Sequence, residues 1–264
     1  MRQAGANRRR TRYIPPVMMT LVKICGLTTA ATLDAALDAG ADMVGFVFFP
    51  PSPRNVGIEA ARLLGAQADG RAMKVALSVD ATDGMLAAMV EALRPDLLQL
   101  HGTETPERVV AIRTRFGIPV MKALPVAERA DLSPVRLYAD VAERLLFDAR
   151  PPRDATRPGG LGRTFDWHLL EDLTLPVPYM LSGGLDAGNV AEALRITRAP
   201  GVDVSSGVES APGVKDAARI HAFVAAVRAA ARPSPPGLPI PLAEPETEAG
   251  SQPASSVAPV DLKV

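Results

Sequence analysis

Between residues 21 and 207 the chain alternates between two hydrophobic rhythms. The first is a short β-branched or apolar run, and it recurs eight times: LVKIC (21–25), DMVGFVF (42–48), MKVALSV (73–79), DLLQLH (96–101), PVMKAL (119–124), RLLFDA (144–149), PYMLSG (178–183) and VDVSSG (202–207). Runs of this kind predict buried strands. Between them lie Ala- and Leu-rich stretches of helical period. TTAATLDAALDAG (28–40) is the clearest, with Gly40 placed to stop it. EALRPD, TRFGIP and RITRAPG mark further helix ends by Gly or Pro ahead of the next strand. The fifth helix, near 134–142, is poorly marked. Eight strand–helix cycles over residues 21–231 predict one α/β domain, a (β/α)8 TIM barrel. The alternative is an open doubly wound sheet. That fold normally shows a G-x-G-x-x-G turn after its first strand, and Cys25-Gly26-Leu27 is not that turn.

Both ends of the chain depart from this pattern. Residues 1–20 carry five arginines and no acid. They read as a solvated, disordered basic extension, or as chain upstream of a start at Met18 or Met19, rather than as a targeting or nucleic-acid arm. With no apolar core they are not a secretory signal. The segment 232–264 is proline-rich and has no aromatic residue. Such a composition buries too little apolar surface to offset its ordering entropy, so a disordered tail is expected.

Composition narrows the function. The sequence is 47% hydrophobic and 22% charged, which is ordinary for a soluble enzyme. Its formal net charge is zero, so no basic field recruits nucleic acid, and no apolar run is long enough to span a membrane. Cys25, the single cysteine, cannot form an intrachain disulfide, which suits the cytoplasm. His101, His168 and His221 are far apart, so no metal site is expected. His168 and His221 fall in helical stretches and read as surface or packing residues.

In a barrel, alternate strand residues point inward and the active site lies at the C-terminal strand ends. Four strands place polar groups on one face there. Lys23 shares a face with Cys25, Gln99 with His101, and Asp203 with Ser205, while Asp148 ends an apolar run. Each has a bland alternative. Cys25 could be a small buried hydrophobe. Asp148 could cap the next helix or pair with a Lys or Arg. His101, taken alone, reads best as a hydrogen-bond partner of a neighbouring loop. The glycine-rich loops are more telling: RPGGLGRTFDW (157–167), SGGLDAGNV (182–190) and SSGVESAPGVKD (205–216). Glycines let backbone N–H groups approach an anion, and the loops after strands seven and eight of such barrels commonly cradle phosphate. FPPSPRN (49–55) presents Arg54 beside the rim, where a guanidinium suits bidentate capture of a carboxylate.

Taken in order, the segments KICGLT (23–28), GFVF (45–48) with Ser52-Pro53-Arg54, QLHG (99–102), LFDA (146–149), Gly159-Gly160 through Gly162 with Phe165-Asp166-Trp167, SGGL (182–185) with Asn189-Val190, and VDVSSGVE (202–209) with Pro212-Gly213 and Lys215-Asp216 closely resemble the phosphoribosylanthranilate isomerase family. The resemblance covers nearly the whole body and leaves out residues 1–20 and 232–264. Two departures stand out. Leu161 replaces a small polar residue between glycines, and Leu185-Asp186-Ala187-Gly188-Asn189 replaces the commoner Asn-Pro-Glu-Asn.

The resemblance implies an isomerase of tryptophan biosynthesis that converts N-(5-phosphoribosyl)anthranilate into 1-(2-carboxyphenylamino)-1-deoxyribulose 5-phosphate by an Amadori rearrangement, with no cofactor and no metal. It implies Asp148 as general acid, Cys25 as general base and Arg54 as the carboxylate anchor. Gly159, Gly160, Gly183, Gly184, Ser205, Ser206 and Gly207 would hold the phosphorylated substrate, with His101 and Asp203 as supporting rim residues. The only expected partner is that small molecule, in a monomer or a homodimer. A ribulose-phosphate epimerase would expect metal-binding His and Asp on several strands. The histidine-pathway isomerase would expect an acid where Cys25 stands. A non-catalytic, phosphate-ligand-binding barrel would have no use for both Cys25 and Asp148.

Overall fold

Every apolar run is a strand, and each strand begins within one residue of its run: β1 Leu21–Cys25, β2 Met43–Phe48, β3 Met73–Ser78, β4 Leu97–Leu100, β5 Val120–Val126, β6 Arg144–Ala149, β7 Tyr179–Leu181 and β8 Gly201–Val204. In this computed structural model, which describes residues 19–230 apart from 153 and 156, the eight strands close in chain order into a parallel barrel, with β1 pairing both β2 and β8. Residues 1–18 of the basic extension expected over 1–20, and the whole tail expected over 232–264, lie outside the described residues.

The helices are α1 Ala30–Asp38, α2 Ile58–Ala68, α3 Asp83–Leu93, α4 Pro106–Phe116, α5 Val135–Ala139, α6 Val190–Thr197 and α7 Ala217–Ala230. Local chemistry sets their ends. The hydroxyls of Thr29, Thr82 and Thr105 accept hydrogen bonds from first-turn backbone N–H groups of α1, α3 and α4. Two cycles differ from the expected pattern. The fifth carries a short 3-10 turn, Arg129–Leu132, and only the five residues of α5. The sixth carries no described α-helix at all, only the 3-10 turn Trp167–Leu170, which holds His168. Prolines at 151, 152, 158, 176 and 178 remove backbone donors on both sides of that turn and keep a helix from propagating. A hairpin that the hydrophobic pattern does not announce, β9 Glu209–Ala211 and β10 Val214–Lys215, follows β8.

Packing divides the interior into layers. Between sheet and helices lies a continuous apolar shell that includes Val22, Ile24, Phe46, Phe147 and Val202. Inside the barrel a second cluster, Met43, Val75, Leu97, Met121, Ala123, Leu146 and Met180, fills the lower half. Cys25, Val47 and Leu77 form a third cluster toward the C-terminal strand ends. Lys23, Gln99 and Asp203 are buried as well. Polar side chains so enclosed need partners, and those partners build the site.

Candidate active site

The C-terminal strand ends open into a cleft of about 800 Å³, counted to its solvent-filled mouth. Cys25 at the end of β1 and Asp148 near the end of β6 both line it, with β7 and β8 between them around the barrel. His101, Arg54, Asp203 and Ser205 line it too.

On the β6 side, the Asp148 Oδ2 atom lies 3.2 Å from His101 Nε2. Its Oδ1 accepts a hydrogen bond from the Ala149 backbone N–H at 2.9 Å. His101 Nδ1 sits 3.0 Å from the side-chain amide nitrogen of Gln99, a fully buried residue of β4. Asp148 therefore neither caps a helix nor pairs with a Lys or Arg, and His101 bonds the carboxylate rather than a neighbouring loop. Gly159 closes over this pair. A Cβ there would stand 2.6 Å from Asp148 Oδ2 and 2.8 Å from His101 Nε2, so only glycine lets the loop approach so closely.

The β1 side is a chain of buried charges. Lys23, fully enclosed, donates through Nζ to Asp203 Oδ1 at 2.9 Å. Burial lowers the Lys23 ammonium, but the charges of Asp203 and Cys25 outweigh it and hold it above its ordinary value. For Cys25, burial pushes the thiol up; the Lys23 charge works against this, yet the thiol stays above its ordinary value. Ser205 Oγ donates to the Cys25 carbonyl at 3.1 Å. Lys215 Nζ donates to the Ser205 carbonyl at 2.8 Å and to Glu209 Oε1 at 2.7 Å. Glu209 also accepts a bidentate fork from Arg54, Nε to Oε1 at 2.6 Å and Nη2 to Oε2 at 2.7 Å. Burial opposes ionisation of Glu209, but the Arg54 hydrogen bonds and the Lys215 charge prevail and its carboxyl lies below its ordinary value. Arg54 is thus a buried, already paired guanidinium, not an arginine standing free on a turn; Nη2 further donates to the Gly160 carbonyl at 3.2 Å.

The loops after β6, β7 and β8 complete the wall. Gly159, Gly160, Gly183, Gly184 and Ser206 line the cleft. Among the described residues, the backbone N–H groups of Gly183, Gly184 and Ser206 donate no hydrogen bond. Unsatisfied amides at a cleft wall make a ready anion cradle. The positive φ of Gly183, +89°, turns the chain there, and a Cβ would press on the Ala149 amide at 2.6 Å. Gly207 stands apart from the other loop residues. It does not line the cleft but packs against the Leu185 carbonyl, where a side chain would collide.

Sequence reasoning missed Glu209 and Lys215 as parts of the site. Their only local signal was an acid and a base six residues apart in a glycine-rich loop, and the hairpin that folds them onto Arg54 is a tertiary feature.

A closed parallel barrel with a thiol and a carboxyl converging on a glycine-walled cleft at its C-terminal rim defines a class, the (β/α)8-barrel enzymes. The comparisons narrow it. Residues 22–226 match the profile of the N-(5'phosphoribosyl)anthranilate (PRA) isomerase family. The chain is 68% identical over 213 residues to the N-(5'-phosphoribosyl)anthranilate isomerase of Bradyrhizobium sp. (strain ORS 278), covering 81% of this chain and 97% of that one. The crystal structure of phosphoribosyl anthranilate isomerase from Thermotoga maritima superposes with a TM-score of 0.72 at 33% identity, over 80% of this chain and 100% of that one. A structure of the same kind of isomerase, in complex with reduced 1-(o-carboxyphenylamino)-1-deoxyribulose 5-phosphate, gives 0.69 at 32% identity, over 80% and 100%. The chain belongs to the N-(5'-phosphoribosyl)anthranilate isomerase family and is an isomerase. No helix among the described residues is long and apolar enough to cross a membrane.

Proposed function

We propose that the cleft converts N-(5'-phosphoribosyl)anthranilate into 1-(2-carboxyphenylamino)-1-deoxyribulose 5-phosphate with Asp148 as general acid and Cys25 as general base. The observation that carries this reading is the convergence of Cys25 and Asp148 on one cleft whose remaining wall is glycine loops with free amides. Protonated Asp148 delivers its proton to the furanose ring oxygen, and the ring opens to an iminium at C1. The Cys25 thiolate then takes the C2 proton. The resulting enolamine gains a proton at C1 as its C2 hydroxyl loses one, and becomes the ketone. C1 is reduced as C2 is oxidised, so the rearrangement calls on no external redox cofactor.

The amides of Gly183, Gly184 and Ser206 hold the phosphate. Gly159 and Gly160 close the loop over the sugar, and Gly207 seats the β8 loop. Arg54 receives the anthranilate carboxylate on the part of its guanidinium that Glu209 does not occupy. His101 positions the acid, and Asp203 fixes Lys23. The enzyme works in the cytoplasm, where a catalytic thiol stays reduced.

The test is complementation of a tryptophan auxotroph that lacks this isomerase, beside a histidine auxotroph, and turnover of the substrate generated in place. Rescue of the tryptophan strain by the wild type, but not by Cys25→Ser or Asp148→Asn, is the expected result. Rescue by both variants would remove these residues from the chemistry.

A further inference from the structure

We propose that Lys23, locked by Asp203, is a positioning residue whose charge favours ionisation of Cys25 against its burial, across the gap left by the missing side chain of Gly45. The proposal rests on the assignment of Cys25 as base and names what makes that base available. Lys23 and Cys25 lie on the inward face of β1, and Gly45 faces them from β2, in register with Cys25. A Cβ on Gly45 would lie 3.1 Å from Cys25 Sγ, 3.1 Å from Lys23 Cε and 3.1 Å from Lys23 Nζ. Sulfur and ammonium therefore flank the same point, and an alanine there would crowd both.

The orientation of the ammonium is fixed. Lys23 is fully buried, so Nζ has no water to turn toward, and its one carboxylate partner, Asp203 Oδ1, sits at 2.9 Å on β8. Charge balance gives the reason for the arrangement. The buried cations of the two ion-paired groups beside Cys25 are Lys23, Lys215 and Arg54, and their buried carboxylates are Asp203 and Glu209. One positive charge is left over, and a thiolate at Cys25 completes the set. An uncompensated buried charge is strongly disfavoured, so the surplus cation eases an ionisation of sulfur that burial alone would oppose. The groups that bear on the sulfur act in opposed directions. Burial and the Asp203 carboxylate disfavour the thiolate, while the charges of Lys23 and of Lys215 favour it.

A merely structural ion pair would not reproduce that opposition of signs, and the test uses it. Because Cys25 is the single cysteine, ultraviolet absorbance of the thiolate against pH reads this one group, with Cys25→Ser as the blank for the three tyrosines. Lys23→Met keeps the apolar stem and removes the charge. It should raise the midpoint of thiol ionisation by about one pH unit or more, the effect usual for one adjacent opposite charge. Asp203→Asn removes the competing anion and leaves the thiolate as the near counter-ion of Lys23, so its midpoint should fall. Lys23→Arg should restore most of the wild-type value. An unchanged midpoint in folded Lys23→Met overturns the proposal. If Lys23→Met does not fold, Asp203→Asn decides alone, and an unchanged or raised midpoint there overturns it equally. The readout needs no substrate. A thiol that titrates as expected in an inactive protein would refute the isomerase chemistry and leave this inference standing, and the converse result would separate them the other way.

Discussion

Around Cys25 the buried polar side chains are charged: the Lys23–Asp203 pair, and the Arg54–Glu209–Lys215 cluster that reaches the Cys25 carbonyl through Ser205. Around Asp148 they can all be neutral: His101, Gln99 and the backbone of Gly159. The buried cation on that side, Lys122, turns its Nζ to Glu104 and to the carbonyls of Leu100, Gly102 and Ala123, and so braces the backbone on either side of His101 rather than Asp148. The contrast fits the chemistry we propose for each side. A base must ionise before it can take a proton, and cations beside it lower the cost of that ionisation. An acid must keep a transferable proton, and a lysine or arginine against it would remove that proton. The two functional groups are distinguished less by their own identity than by the sign of what surrounds them.

The sharpest break of that comparison is Cys25→Ser. The hydroxyl is close in size but far harder to ionise, so the cation-rich side can no longer supply an anion. We expect kcat to fall by about 10³-fold with the fold retained, measured by steady-state turnover and circular dichroism. Near wild-type turnover would mean that the charged cluster serves some purpose other than a base. On the opposite side, Asp148→Asn keeps the shape and the Ala149 contact but has no proton to give. A drop in kcat of about 10²-fold or more with KM little changed is expected. A KM effect without a kcat effect would recast Asp148 as a binding group.

Much of this contrast is invisible from the sequence, and the reason is distance along the chain. Strand periodicity placed Lys23 beside Cys25, Gln99 beside His101 and Asp203 beside Ser205, because period-two alternation is local and survives into the barrel. The strand-end positions of Cys25 and Asp148 were legible for the same reason, while the roles proposed for them came from the family resemblance alone. The Arg54–Glu209 fork joins residues 155 apart and needs the β9–β10 hairpin, which has no hydrophobic pattern of its own. Arg54 therefore read as an arginine waiting at the rim, when it is half of a buried ion pair. The sixth helix failed for a different reason. No helical period was singled out between the sixth and seventh apolar runs, and the stretch between Pro158 and Pro176 forms only a 3-10 turn.

The Arg54–Glu209 fork gives the third test, smaller because it bears on binding. Arg54→Ala should chiefly raise KM, by roughly ten- to a hundred-fold, the loss usual for a hydrogen bond to a charged group. Glu209→Gln keeps the guanidinium in place but loosens its grip, so its KM should rise less. If Glu209→Gln costs as much as Arg54→Ala, the fork rather than the free edge of Arg54 is what the substrate needs.

The last test asks whether the charged side is held at a cost. Lys215 donates to Glu209 and Ser205, yet burial pushes its ammonium down to about 8. An unfolded lysine keeps its proton to about 10.4. Below pH 8 both states are protonated and the full cost of burying the ammonium is present. Between about 8 and about 10 the unfolded chain binds more protons than the folded one, so this group's contribution to stability rises with pH. Tyr179, whose phenol burial raises to about 12, acts oppositely, but only once an unfolded tyrosine ionises near 10. The Cys25 thiol, also held above its ordinary value, acts oppositely inside the window of about pH 8 to 10, so the comparison is made in a Cys25→Ser background. There Lys215→Met lacks the titrating group, and the difference in unfolding free energy between the proteins with and without Lys215 isolates the effect. Urea denaturation across the window should move that difference in favour of the protein that keeps Lys215 by on the order of 1–2 kcal/mol. A flat difference would show that Glu209 and Ser205 compensate the buried ammonium in full. The cation-rich side would then be no more strained than the neutral one, and its charges would be there for the thiolate alone.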